Sequence, residues 1–102
     1  MCLAGAAWRI AVVIDGFIAT AGAWAACAFH PLVKDCLVLA HLSTERGHGR
    51  VLAALQVKPL LDLGMRLGEG TGAALGMGLV ESAVRLLNAM ATFAEAGVAE
   101  KI

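Results

Sequence analysis

Charge is scarce in this sequence: eight Lys and Arg offset eight Asp and Glu over 102 residues, 16% of the chain, with a formal net charge of zero. Hydrophobic residues reach 60%, so general disorder is excluded, because disorder needs few apolar residues and much charge. With no excess of either sign there is no basic field for nucleic acid or for an anionic membrane. No C-x-x-C pair occurs either, and Cys2, Cys27 and Cys36 lie far apart. That spacing argues against a disulfide framework or a zinc site and for buried thiols in a cytoplasmic protein. No internal repeat or low-complexity tract is visible.

A clean membrane span is also missing. The run from Ile10 to Phe29 is almost wholly apolar, and a spanning helix needs roughly 20 such residues. Asp15 sits inside the run, where insertion would cost about 2.5–3.5 kcal/mol. His30-Pro31 interrupts the uncharged piece that follows, and Arg9 lies within the apolar region rather than before it, unlike a signal peptide. The run is better read as a buried strand followed by a buried helix. The chain opens on apolar residues, and one so short and apolar would struggle to cover its own hydrophobic surface. We therefore expect it to belong to a larger fold or an obligate assembly.

The β-branched run Ala11–Ile14 predicts an interior strand, ended by Asp15-Gly16. Alanine-rich Phe17–Ala28 predicts a helix stopped by His30-Pro31, and Leu37–Ala40 a second strand, which together make a βαβ-like unit. The polar stretch His41–Arg50, "HLSTERGHGR", follows that strand and is a candidate site wall, since parallel sheets bind ligands beyond their carboxyl ends. A short helix is expected over Arg50–Leu55, before Pro59, whereas Leu60–Leu67 has no assignable period. From Ala73 to Phe93, Leu79, Ala83, Leu86, Met90 and Phe93 recur every three or four residues, opposite a polar face. That spacing predicts a helix of about 30 Å, with Gly97 as its stop.

Before this helix stands "RLGEGTGAAL", Arg66 to Leu75. Gly68-x-Gly70-x-x-Ala73 formally fits a dinucleotide loop, but no clean strand precedes it. The glycines suit either a phosphate loop or tight packing and positive φ before a helix. Glu69 opposes the phosphate reading, because a carboxylate repels phosphate. It is either a solvated loop acid or a base displayed where a ligand can approach the backbone. Asp15 could bind a hydroxyl or metal at the strand's end, although capping the following helix is the simpler role. His41, Glu45 and His48 fit no zinc spacing, and Ser43 lacks the G-x-S-x-G elbow of hydrolases. The Ser43 hydroxyl suits a phosphate or ribose instead.

Three segments together carry a resemblance: "VVIDGFIATAGA" at 12–23, "AHLSTERGH" at 40–48, and "PLLDLGMRLGEGTGAAL" at 59–75, continuing into "NAMATFAEAGV" at 88–98. The chain resembles the C-terminal portion of the nicotinate-nucleotide–dimethylbenzimidazole phosphoribosyltransferase family. The resemblance implies an α/β fold: the C-terminal fragment of a Rossmann-like parallel-sheet domain plus a long C-terminal helix. Residues 1–58 would be the late βαβ core and polar site loop, and residues 59–102 the catalytic loop and helix.

The reaction it implies moves phosphoribosyl from nicotinate mononucleotide to 5,6-dimethylbenzimidazole, giving α-ribazole 5′-phosphate and nicotinate for the cobalamin lower ligand. Glu69 would be the general base. Ser43 would hold the phosphate, Leu67, Gly68 and Gly70 would form the substrate pocket, and Asp15 and Gly16 would belong to the site's framework. Neither metal nor cofactor is implied, and the full-length family suggests a homodimer. The family's glycine-rich nucleotide region lies upstream of the matching part. This chain is accordingly expected to be inactive alone, as a gene fragment, truncated paralogue or half of a split enzyme. A non-catalytic interaction module is the competing reading, and a small membrane protein built on residues 10–29 ranks last.

Overall fold

A computed structural model describes residues 1–99. Helix α1 (Cys2–Trp8) leads into strand β1 (Val12–Ile14), helix α2 (Phe17–Phe29), a 3-10 segment (Pro31–Cys36) and strand β2 (Leu37–Leu39). Helix α3 (His48–Leu55), the long helix α4 (Thr71–Ala89) and the short helix α5 (Phe93–Ala96) follow. Strands β1 and β2 pair in parallel, with Val12 opposite Leu37 and Ile14 opposite Leu39. The βαβ unit expected from the sequence is therefore present, within a mixed α/β fold. Its two strands and helix α2 enclose a small core of Val12, Ile14, Ala23, Leu39 and Leu52.

Local chemistry explains the boundaries. β-Branched residues favour the pleated strand, and Asp15-Gly16 turns the chain into α2. Pro31, at the start of the 3-10 segment, cannot continue an α-helix, and His30 before it is extended, as a residue preceding proline should be. Helix α1 was not anticipated from the sequence. It ends through Arg9, whose left-handed φ of 54° lets its own amide reach Ala6 O at 3.3 Å and the Ile10 amide reach Gly5 O at 2.8 Å. A Cβ on Gly5 would collide with Val12 Cγ2, so glycine lets α1 lie directly against the start of β1.

The segment after Pro59 also has a defined course. Leu60 N donates to Leu39 O at 2.8 Å, Leu61 N to Ala40 O at 3.0 Å, and His41 bridges Leu61 in parallel. Residues 60–61 thus extend the sheet beyond β2.

One expectation about the long helix needs correction. It spans Thr71–Ala89 rather than Ala73–Phe93, because Met90 is extended and a Thr92–Glu95 capping box starts α5 separately. Its apolar stripe is uncovered, as expected of a chain too short to cover its own hydrophobic surface: Leu79, Leu86, Met90 and Phe93 are all exposed. The helix is seated only near its start, where a Cβ on Gly76 would come within 2.9 Å of Ala40 Cβ and 3.3 Å of Val13 Cγ1. No described element packs on the rest of it. Among the described residues, no helix is long and apolar enough to cross a membrane.

The cysteines are free and half-buried. Burial, with Cys2 and Cys36 nearby, pushes the Cys27 thiol above its ordinary value. Such a thiol stays protonated and is a poor nucleophile.

Candidate functional site

Three segments meet beyond the carboxyl ends of the two strands: Asp15-Gly16 after β1, His41–Glu45 after β2, and the loop Arg66–Gly70 before α4. They enclose a cleft of about 770 Å³, with Phe17, Ile18 and Ala19 forming an apolar wall. Backbone bonds hold the later two segments together, Leu42 N to Leu61 O at 2.8 Å and Thr44 N to Met65 O at 3.1 Å. The polar stretch is therefore bonded to the segment that leads directly into the glycine loop, although about 20 residues separate the two in sequence.

The glycine loop has an unusual backbone. Gly68, Glu69 and Gly70 all lie in the left-handed region, with φ of 70°, 57° and 78°. Glycine adopts this freely, whereas a residue with a Cβ gives up about 1–2 kcal/mol. Strain of this kind persists only where the surroundings hold it, and it concentrates at working positions. Here it displays the exposed Glu69 carboxylate at the cleft. Gly70 then serves as the N-cap of α4 without any side-chain cap.

Asp15 supplies the missing cap from far away. Its Oδ1 accepts the Ala73 amide at 2.8 Å across 58 positions. The expectation that Asp15 caps the helix following it is thus corrected: α2 has Gly16 as its N-cap and no side-chain cap, and Asp15 caps α4 instead. A carboxylate at a helix N-terminus is also favoured by the helix dipole. The approach is close because a Cβ on Gly72 would stand 2.9 Å from Asp15 Oδ1 and 2.6 Å from His41 Nε2, with His41 Cδ2 nearer still.

Behind the cleft lies a buried relay. His48, fully buried, accepts the Ser43 amide on Nδ1 at 2.9 Å, and its Nε2 faces Thr20 Oγ1 at 2.9 Å. Thr20 Oγ1 in turn donates to Gly16 O at 2.7 Å. An accepting Nδ1 fixes the neutral tautomer with the proton on Nε2, which donates to Thr20. Burial, with His41 adding to it, holds the His48 pKa below its ordinary 6.5. The unfolded chain therefore takes up a proton at a higher pH than the folded one. Stability from this group is complete above about pH 6.5 and declines as pH falls towards the lowered folded value. Melting temperatures measured between pH 7.5 and 5.5 should fall with acidity, and His48→Asn should reduce that slope.

Charge in the cleft is mostly negative. Asp15, Glu45 and Glu69 line it with Arg66 as the cation among the described lining residues, and Arg66 reaches Glu45 at 3.9 Å. Both partners of that pair are well exposed, so it contributes little. The combination of an apolar wall and a displayed carboxylate suits a flat, neutral ring that must lose a proton.

Of the residues singled out from the sequence, Asp15, Gly16, Ser43, Gly68 and Glu69 converge on the cleft. Leu67, 74% exposed, and Gly70 do not line it. Sequence reasoning weighed His41 and His48 only as metal ligands, and it missed the His48–Thr20 relay and the apolar wall. His48 was within sight, since it closes the "AHLSTERGH" stretch.

The phosphoribosyltransferase family model matches residues 1–98. A nicotinate-nucleotide–dimethylbenzimidazole phosphoribosyltransferase of Citrifermentans bemidjiense is 59% identical over 99 residues, 97% of this chain and 28% of that protein. The Geobacter sulfurreducens protein of the same name is 57% identical over 100 residues, again 28% of its length. The crystal structure of CobT from Thermus thermophilus superposes with a TM-score of 0.88 at 49% identity, covering 98% of this chain and 30% of that one. The chain thus spans about 28% of the length of the curated relatives it matches.

Proposed function

Since the chain belongs to the nicotinate-nucleotide–dimethylbenzimidazole phosphoribosyltransferase family, we propose that it provides the proton-accepting part of that transfer. In this reading a ring nitrogen of 5,6-dimethylbenzimidazole attacks the anomeric carbon of nicotinate mononucleotide. The bond to the pyridinium nitrogen breaks, and nicotinate leaves with the electron pair. Glu69 removes the N–H proton of the benzimidazole as the other nitrogen is alkylated, and the product is α-ribazole 5′-phosphate. The observation that carries the reading is the strained Glu69, held between two left-handed glycines opposite the apolar wall. In that cleft the benzimidazole would lie along Phe17 and Ile18, with Gly68 allowing close approach and exposed Leu67 available to cover the ring. Gly70 would act through the start of α4 and Asp15 through its cap on that helix, while the Ser43 hydroxyl would bond the phosphate.

The same reading includes dependence on further protein. A nucleotide phosphate entering this cleft meets three carboxylates and one arginine, so its remaining cationic contacts must come from elsewhere. The exposed apolar residues of α4 support assembly with another part of a full-length enzyme, a homodimer and a cytoplasmic setting being part of this proposal.

The test is to incubate the chain with nicotinate mononucleotide and dimethylbenzimidazole and detect α-ribazole phosphate by mass spectrometry. A chimera carrying this chain in place of the matched region of the Geobacter sulfurreducens relative is assayed in parallel. The chimera should turn over and the isolated chain should not. A folded but inactive chimera would refute the catalytic reading, and strong turnover by the isolated chain would refute the dependence on further protein.

A further inference from the structure

Ser43 has two hydrogen-bond donors, its backbone amide and its hydroxyl, and the amide is already engaged. Its amide donates to His48 Nδ1 at 2.9 Å, and its Oγ accepts the Glu45 amide at 3.2 Å. What the residue still offers an anion in the cleft is one donor, its O–H, and the direction from which that group reaches the cleft follows the backbone of the segment. That direction depends on His48, whose ring joins the Ser43 segment on one side to Thr20, and through it Gly16, on the other. The bond from His48 to Thr20 spans 28 positions of sequence and is buried, so water does not compete for it.

We infer that His48 is a positioning residue for the donor: its neutral ring occupies the Ser43 amide so that Ser43 meets an anionic oxygen, of the phosphate class, through its hydroxyl alone. The identity of the ligand rests on the transferase reading, whereas the positioning itself does not. A protonated ring, or one with its proton on Nδ1, would present a donor to the Ser43 amide and break the link. The Ser43 amide would then turn outward, and the hydroxyl would lose its defined aim.

The experiment uses the full 102-residue chain, labelled with ¹⁵N, and two isosteric variants. Asparagine places an acceptor where Nδ1 stands and keeps the Ser43 bond, while glutamine places a donor where Nε2 stands and keeps only the Thr20 bond. Imidazole ¹⁵N shifts should report the proton on Nε2. Hydrogen exchange of the Ser43 amide should be slow in the native chain and in His48→Asn, and about five- to tenfold faster in His48→Gln. Affinity for nicotinate mononucleotide, measured in the chimera with the Geobacter sulfurreducens relative, should follow the same order, and Ser43→Ala should weaken it there in an otherwise native loop.

Circular dichroism melts establish that each variant is folded. A proton on Nδ1, or equal Ser43 protection in folded Asn and Gln variants, would overturn the inference. If the protection pattern holds but the chimera binds the nucleotide equally well with and without Ser43→Ala, the positioning stands and the ligand assignment falls.

Discussion

Replacing Glu69 by glutamine should lower kcat about 10²–10⁴-fold in the chimera with the Geobacter sulfurreducens relative, with little change in KM. The amide has the carboxylate's size and keeps its place in the loop, but it cannot accept the benzimidazole proton. In-line placement of the two substrates, which supplies a further part of the acceleration, is left intact. The stronger test is Glu69→Gly. At φ 57° the native residue is in a conformation that side chains resist, and glycine relieves about 1–2 kcal/mol of strain. The glycine variant should therefore melt at a higher temperature than the native chain and yet be as inactive as the glutamine variant. Opposite movement of stability and activity would mean that the strain is maintained for display of the carboxylate. A loss of both would instead make Glu69 a structural residue of the loop.

What was readable from the sequence follows how local each determinant is. The strands Val12–Ile14 and Leu37–Leu39 and helix α2 were legible because β-branched runs, alanine content and His30-Pro31 act within a few residues. Helix α1 was not, since its short apolar stretch has no contrasting polar face and its end depends on a left-handed Arg9. The course of residues 60–65 is set by backbone bonds to Leu39, Ala40 and Thr44, which no side-chain pattern announces. Capping by Asp15 was anticipated in kind but assigned to the wrong helix, because its partner is 58 positions away. For α4 the period was legible and the end of the helix was not; its apolar stripe specifies a surface that seeks a partner, not which chain supplies it. Glu69 became readable only when the spacing of the glycines was joined to the resemblance. The left-handed turn that displays it is a property of the folded loop.

The second large effect belongs to a glycine that carries no chemistry. Gly72→Ala puts a methyl group 2.6 Å from His41 Nε2 and 2.9 Å from Asp15 Oδ1, and closer to His41 Cδ2. In a free helix the same change would be favourable by about 0.8–1.0 kcal/mol. Here neither neighbour can give way cheaply, since His41 is buried at 4% exposure and Asp15 is bonded to the Ala73 amide. Helix α4 must lift from the sheet, which breaks the Asp15 cap and moves the Glu69 loop that precedes it. Overpacking costs about 1–3 kcal/mol and loss of the cap about 1 kcal/mol more, so the propensity gain is outweighed. A Cβ on Gly78 meets open space on the same helix, so Gly78→Ala should raise the melting temperature while Gly72→Ala lowers it. In the chimera, Gly72→Ala should also reduce turnover at least tenfold, because a misplacement of about 1 Å at the base can cost 10²-fold, whereas Gly78→Ala leaves turnover unchanged. Equal melting temperatures for the two variants would mean that α4 is not held to the sheet by this contact. The Asp15 cap would then have to be the anchor of the loop, and Asp15→Asn, which keeps an accepting oxygen but loses the charge, should hold the loop better than Asp15→Ala.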